Sequence, residues 1–438
     1  MSDVASARGE SGTMAEFAMP VSPRTEVAQM GRPAVLFVDD GCWDSFFLLA
    51  AGIKRAGIRT VRITNSPRTR GAALLLFDRT MHFEDGADLI GLAEMLEGEH
   101  IVDVQMTEGV AAALGQGILA MPETRHTREW FRRVAVMDKL FVEERLREVG
   151  LFAPAVLHGP DLDASQIIEH LGLPVVHKTR TGSGGEGVSI ITSRRELESH
   201  LTGGHHSDET FFEQYVEGRQ LQFGGIFGFG DSDVAVTFET LERREALAPA
   251  SQIRLVDEQS FAATGHKVVR ALGLTGILNI NAIRDAEGRD WIHDVNPRAF
   301  GSFMGLRPAG VDLLRAYIDW ILNGAIESAP RNGSRGSHLV EKKPQVGTAG
   351  GDDQLPAAES YPVFPAAFRS HAGNEGLFRS SWRFARGAHP YLRWVGPRYV
   401  AYETGRQVPH EMGRLLNRFD KRSIVRNWLS SRAKPPQQ

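Results

Sequence analysis

The run Val175-Val176-His177-Lys178-Thr179-Arg180-Thr181-Gly182-Ser183-Gly184-Gly185-Glu186-Gly187-Val188 delivers a lysine from an apolar stretch and follows it with closely spaced glycines. Glycines let backbone amides close on an anion without a Cβ in the way, and Lys178 can neutralise a phosphate from the strand beside them. That suits a phosphate cradle, with an ordinary Gly-rich turn as the alternative. It is not a Walker A loop, since Gly-Lys-Ser/Thr is missing and the lysine comes first. Next, Phe211-Phe212-Glu213-Gln214-Tyr215-Val216-Glu217-Gly218-Arg219-Gln220 runs an apolar strand into a polar hinge. Its backbone edge can pair with adenine, and a plain strand and turn is again the alternative. A third stretch, Gly276 to Arg298, joins two strands through an Asp/Glu/Gly turn and sets Asn281 opposite Asp294 and Asn296, with 294 and 296 on one face. One carboxylate and two carboxamides are hard oxygen donors, the set that suits Mg2+ holding a substrate phosphate. Ile280, Ile292 and Val295 supply the buried face between them.

Periodicity places these residues on elements. Ala34 to Val38 reads as a buried parallel strand, followed by an acidic turn and a helix capped by Asp44. Strands are expected at Arg59 to Ile63, Ala72 to Phe77 and Ile101 to Val104, and helices at Gly86 to Leu96 and Thr107 to Leu114. This is an open α/β unit ending near Met121. Thr127 to Val149 reads as one helix stopped by Gly150, and β-rich stretches follow at Pro174 to Thr192 and Thr210 to Thr240. A helix from Asp257 to Leu272, a strand pair at Ile277 to Arg284 and Trp291 to Asn296, and a helix from Val311 to Leu322 complete the body.

Composition limits the function classes. The chain has 438 residues, 42% hydrophobic and 24% charged, which excludes bulk disorder and a disulfide-stapled scaffold. Its single cysteine, Cys42, forms no internal disulfide and no Cys-rich zinc site, and points to a reducing, cytoplasmic setting. The turn Asp39-Asp40-Gly41-Cys42-Trp43-Asp44 lacks the spaced glycines of a dinucleotide site. No apolar run is long enough to cross a membrane, and residues 1–31 read as a disordered leader. The net charge of −4 gives no sign of a nucleic-acid partner, but it hides an asymmetry. Tyr361 to Gln438 holds 14 Lys plus Arg against 4 Asp plus Glu, a net of +10, which leaves −14 for the rest. A Gly, Ser and Pro-rich linker over 329–360 precedes this aromatic, basic extension, which is expected to pack on the acidic body or across a homodimer, with peripheral contact to an anionic membrane or binding of an acidic carrier or partner as the alternative.

The order of these motifs resembles the ATP-grasp superfamily of carboxylate ligases, a group that includes D-alanine:D-alanine ligase, biotin carboxylase and carbamoyl phosphate synthetase. The resemblance implies an α/β fold: an open parallel-sheet unit over 32–121, an ATP-grasp domain over 122–328 with a flap at about 155–215, then the linker and extension. It implies ATP and one or two Mg2+ ions, with Mn2+ as a compatible substitute. Asp138-Lys139 resembles the family's early phosphate-binding lysine, Lys178 its second, and Gly182, Ser183, Gly184 and Gly185 its flap. Glu213 and the backbone of Val216 correspond to the adenine-holding hinge, and Gln220 stands where many members place a ribose-binding glutamate. Asn281, Asp294 and Asn296 correspond to the metal ligands, with Asn281 neutral and Asp294 shorter than the usual glutamate. Arg298 resembles the arginine beside the γ-phosphate and acyl phosphate. The implied activity joins a small-molecule carboxylate to an amine. A kinase or carboxylase with a non-amine acceptor, and a nucleotide-binding regulatory or assembly protein, are the alternatives.

Overall fold

The Ala34–Val38 run extends into β1 (Pro33–Asp39), whose residues beyond Pro33 are all buried, as a strand covered on both faces requires. The computed structural model describes residues 32–40, 44–65, 76–182, 184–185, 187–228, 233–243, 250–303, 306, 310–327 and 360–362. The expected leader, Cys42, Ser183, residues 72–75 of one expected strand, all of the 329–360 linker but Ser360, and all of the basic extension but Tyr361 and Pro362 lie outside the described residues.

After β1 come α1 (Asp44–Arg55), β2 (Arg59–Thr64), β3 (Arg79–His82), a short α2 (Leu92–Met95) and β4 (His100–Met106). They form a parallel sheet of order β3-β2-β1-β4. The helix expected at 86–96 is a 3-10 turn at Gly86–Gly91 followed by α2, because the Asp85 cap closes a tight first turn with Asp88. That expected at 107–114 starts later, as α3 (Ala111–Leu119) behind a 3-10 turn at Glu108–Val110.

The single helix expected over 127–149 is two, α4 (Arg125–Val136) and α5 (Lys139–Glu148). Asp138 causes the break: its carboxylate accepts from the amides of Leu140 and Phe141, which starts a new helix. A second sheet, β5-β8-β6-β7, is built from β5 (Val156–Leu157), β6 (Val175–Thr179), β7 (Val188–Ile191) and β8 (Thr210–Gln214), all antiparallel. α6 (Ala164–Leu171) and α7 (Arg194–Thr202) cover one face, where Ile167, Leu197, Val175 and Phe212 form a small core.

The third sheet has order β13-β12-β9-β10-β11-β14, all antiparallel, from β9 (Arg219–Phe227), β10 (Val234–Arg243), β11 (Ala250–Leu255), β12 (Gly276–Arg284), β13 (Asp290–Asn296) and β14 (Ser360–Pro362). α8 (Gln259–Leu272) packs on one face with α5 around Phe223, Phe261, Leu278 and Ile280. α9 (Leu313–Glu327) lies between this sheet and the first one: Leu313, Leu314 and Tyr317 share a core with Phe37, Phe46 and Ile226. Contact there is close enough that a Cβ on Gly52 of α1 would sit 2.5 Å from Leu314 Cδ2. A polar bolt secures the junction. Asp103 of β4 accepts from Arg133 Nη1 at 2.6 Å, from Gln105 Nε2 at 2.8 Å and from the Tyr317 hydroxyl, while Arg133 Nη2 donates to Thr275 O at 2.9 Å.

Candidate active site

Between the β5-β8-β6-β7 sheet and the six-stranded sheet lies a cavity of about 540 Å3. Strand alternation decides what faces it. On β6, Val175 and His177 turn to the helix-covered face while Val176 and Lys178 turn to the cavity. On β12, Leu278, Ile280 and Ala282 enter the core, whereas Asn279 and Asn281 line the cavity.

β13 departs from alternation. Asn281 pairs with Asp294 and Ala282 with Ile292, so His293 is an extra residue in the ladder, a β-bulge. The bulge allows Ile292 and Val295 to share the core face while Asp294 and Asn296 share the cavity face. It also aims the His293 carbonyl at Lys178 Nζ, 3.2 Å away. Asn281 is opposite Asp294 as expected, but Asn296 pairs with Asn279, not with Asn281.

The three expected metal-binding side chains meet. Asp294 Oδ2 accepts from Asn281 Nδ2 at 3.0 Å and from Asn296 Nδ2 at 2.5 Å. Burial pushes the Asp294 carboxyl up, but Lys139, His293, the Asn296 bond and Lys178 outweigh it and hold it below the usual carboxylate range, hence ionised. One ionised carboxylate with two carboxamides, whose Oδ1 atoms turn to a cation if the amides rotate, is a donor set of the right hardness for Mg2+. Among the described residues no group of three or more His, Cys, Asp or Glu could hold a metal. The remaining ligands would therefore have to come from a bound phosphate and water.

The cations fall into two kinds. Lys178 is 5% exposed and tied to Glu213, Nζ to Oε2 at 2.5 Å, with Glu143 Oε1 3.8 Å away. Burial would discharge it, but the two carboxylates raise its pKa above the ordinary lysine value. Arg298, 3% exposed, pairs with Glu108, and its Nη2 donates to Asn296 Oδ1 at 2.9 Å. Lys139 differs. As the first residue of α5 it reaches the loop between β6 and β7, where Nζ donates to Gly182 O at 2.5 Å. It has no carboxylate partner among the described residues. Burial therefore pulls its pKa below the ordinary lysine value, despite attraction from Asp294 and Glu108. The flap loop itself has Gly184 at φ 66° and Gly185 at φ 87°, a backbone that side chains with a Cβ rarely adopt.

Glu213 and Val216 line the same cavity, Val216 between β8 and β9 with its backbone outside either ladder. Gln220 is exposed at the rim, where its Oε1 accepts from Arg243 Nε at 3.1 Å and Nη2 at 2.6 Å. The structure thus gathers around one cavity every sequence-expected site residue it describes. Asn279, whose buried Nδ2 has no partner, Arg243 and His293 line it as well, and Glu108 and Glu143 stand behind it as the partners of Arg298 and Lys178. Of these only Asn279 had a local signal, lying two residues before Asn281 on the same strand.

Residues 136–302 match the family model of the ATP-grasp domain, and this part of the chain is an ATP-grasp domain. D-alanine–D-alanine ligase of Chromohalobacter salexigens is 25% identical over 229 residues, 48% of this chain and 71% of that protein. The 2-oxoglutarate carboxylase small subunit of Hydrogenobacter thermophilus is 22% identical over 280 residues, 56% of this chain and 57% of that one. In fold, the chain resembles N5-carboxyaminoimidazole synthetase from Staphylococcus aureus in complex with ADP, with a TM-score of 0.54 at 15% identity, covering 66% of this chain and 78% of that one. It also resembles L-amino acid ligase from Bacillus licheniformis, with a TM-score of 0.51 at 17% identity, covering 67% and 74%. The mixed α/β architecture is that of the ATP-grasp fold, and the family is one of ligases and carboxylases. Among the described residues no helix is long and apolar enough to cross a membrane.

Proposed function

We propose that the cavity binds ATP and that the protein uses it to join a small-molecule carboxylate to an amine. Adenine lies along the edge from Glu213 to Val216, the ribose at Gln220, and the phosphates between Lys139, Lys178 and the amides of the 182–185 loop. Asp294, with the carboxamides of Asn281 and Asn296, would hold Mg2+, which supplies charge neutralisation of the phosphates when bound.

In the proposed reaction a carboxylate oxygen attacks the γ-phosphorus, the bond to the β,γ-bridging oxygen breaks, and ADP leaves. The amine nitrogen then attacks the acyl carbon, the C–O bond to phosphate breaks, and the nitrogen gives up a proton, leaving amide and inorganic phosphate. Lys139 and Arg298 stabilise the charge that develops on transfer, and the Lys139–Gly182 bond draws the flap over the reactive acyl phosphate to keep water out.

The observation that carries this reading is the position of Lys139: a half-buried ammonium with no carboxylate partner among the described residues, bonded to Gly182 O and attracted by Asp294. An ammonium left without a carboxylate beside the ionised Asp294 suits a polyanion bound with a divalent ion. The test is ADP and phosphate release over pooled small carboxylates, with and without pooled amines. Release that requires both supports the ligase. Release with bicarbonate or an alcohol and no amine makes the protein a carboxylase or kinase instead, and tight ATP binding without release makes it a nucleotide-responsive binding protein.

A further inference from the structure

Glu143, on α5 one turn after Lys139, is 1% exposed, and neither of its side-chain oxygens meets a hydrogen-bond donor. Its neighbours are Lys178, 3.8 Å from Oε1, and the carboxyl group of Glu213, which already holds the Lys178 ammonium at 2.5 Å. Two buried carboxylates around one ammonium leave a net negative charge in low dielectric, directly beneath a site meant for a polyanion. No hydrogen lies between two ionised carboxylates. One proton removes both difficulties, since it cancels the surplus charge and supplies a donor from one carboxyl to the other.

We propose that Glu143 is a positioning residue that carries its carboxyl proton in the folded protein, donates it in a hydrogen bond to Glu213, and so fixes the Glu213–Lys178 pair at the floor of the nucleotide site. The asymmetry between the two carboxyls follows from geometry: Glu213 makes the short contact to Lys178 and Glu143 does not. Burial first, then Glu213, pushes the Glu143 carboxyl well above the ordinary range, while at Glu213 burial is outweighed by Lys178, the bond from Glu143 and His293 together, which hold it below. The other charged groups facing the pair are Arg147 on α5 and His293 on β13, and the latter is kept neutral with a pKa of about 4. Neither competes for the proton near neutrality.

The effect on nucleotide affinity rests on the ATP reading, but the proton does not, so the two are measured apart. A group whose folded pKa is raised contributes stability that is complete below its unfolded pKa of about 4.3 and is lost as pH rises through the folded value. In the nucleotide-free protein, thermal unfolding from about pH 5 to about pH 9 should therefore show Glu143→Gln gaining on wild type as pH rises. Parallel curves overturn the proposal. The infrared stretch of a protonated carboxyl in the wild-type protein at neutral pH gives the same answer without a variant, and its absence also overturns it. ATP titration then reads the positioning role: Glu143→Gln should match wild type near neutrality and bind tighter than wild type once pH passes the pKa of Glu143, by about tenfold for each pH unit beyond it. Glu143→Leu, which cannot donate, should be weaker than wild type near neutrality, where the wild-type carboxyl carries its proton. Wild type and Glu143→Leu binding ATP alike would remove the positioning role, whereas no ATP binding by wild type at any pH would sink the ATP reading and leave the unfolding result to decide the proton.

Discussion

Arg298 and Glu108, 190 positions apart, form a buried ion pair that ties the turn after β13 to the carboxyl end of β4 in the first sheet. Nε lies 3.0 Å from Oε1, Nη2 also bonds to that oxygen, and Nη1 donates to Ala299 O at 3.2 Å. The arginine proposed to stabilise the transferring phosphoryl group is thus aimed by a residue of another sheet. Removing one partner of a buried pair strands the other, at a cost of about 3–5 kcal/mol. Glu108→Ala should lose that much in denaturant unfolding and slow product formation, and Glu108→Gln, which keeps the shape, should lose less stability. Unchanged unfolding in both variants would show that the pair neither joins the sheets nor restrains Arg298.

Lys139 and Lys178 should respond differently to the same substitution. Lys139→Met removes no ion pair, so the fold should stay near wild type while ADP formation falls by about 100-fold to 1000-fold, the effect of losing one preorganised charge. Lys178→Met leaves Glu213 and Glu143 buried together without a cation, and should lower the melting temperature as well as the rate. Adding Glu213→Gln to Lys178→Met should recover stability but not activity. Equal melting temperatures for the two single variants would contradict the division of roles.

Asp294→Asn tests the metal assignment. It removes the one ionised oxygen among the three cavity-facing side chains at 281, 294 and 296, so Mg2+-dependent ADP formation should fall by about 100-fold, equivalent to roughly 3 kcal/mol. Wild-type turnover in this variant would show that the divalent ion is held elsewhere.

What was legible in the sequence is what alternation and spacing carry. Lys178 just before its glycine loop, Glu213 before its hinge, and the Asp294–Asn296 pair each sit on a single strand, so local pattern placed them. The helix break at Asp138 was not legible, because apolar spacing continued through it; a capping aspartate, not hydrophobic period, ends that run and sets Lys139 at a helix start. The bulge at His293 was hidden for the same reason, since one inserted residue changes which side chains share a face without changing composition. Glu108, Arg243 and Glu143 gain meaning only from partners on distant elements, which no local window contains.

Gln220 offers a test of the ribose position. Its Oε1 is occupied by Arg243, leaving its amide nitrogen as a donor where a carboxylate would offer two acceptor oxygens. Gln220→Glu can keep one oxygen on Arg243 and present the other to ribose hydroxyls, so ATP should bind as well as to wild type or up to about tenfold tighter, as one charge-assisted hydrogen bond allows. 2′-Deoxy-ATP should gain less than ATP. A collapse of ATP affinity would move the ribose away from residue 220.

The helix-covered face of the flap sheet predicts how the protein responds to acid. His177 is 4% exposed, its Nε2 has no hydrogen-bond partner, and its ring lies 4.3 Å from that of His200 and 6.1 Å from that of His206. Burial first, then the neighbouring histidines, lowers its pKa from 6.5 to about 4. Unfolded, the same ring titrates near 6.5, so between about pH 6.5 and about pH 4 the unfolded chain binds a proton that the folded protein refuses. Stability is therefore intact above that window and falls as pH drops through it, by up to about 1.4 kcal/mol per pH unit for each such histidine. His293, with its pKa also lowered to about 4, acts in the same direction from the cavity side. His177→Leu removes one such proton-refusing ring without breaking a hydrogen bond, so its unfolding free energy should decline less steeply than wild type from about pH 6.5 to about pH 5. Lys178 is the next residue on β6, so acid loosening of this face should release nucleotide in wild type before the rest of the protein unfolds. Equal slopes in the two proteins would mean that His177 accepts its proton in the folded flap.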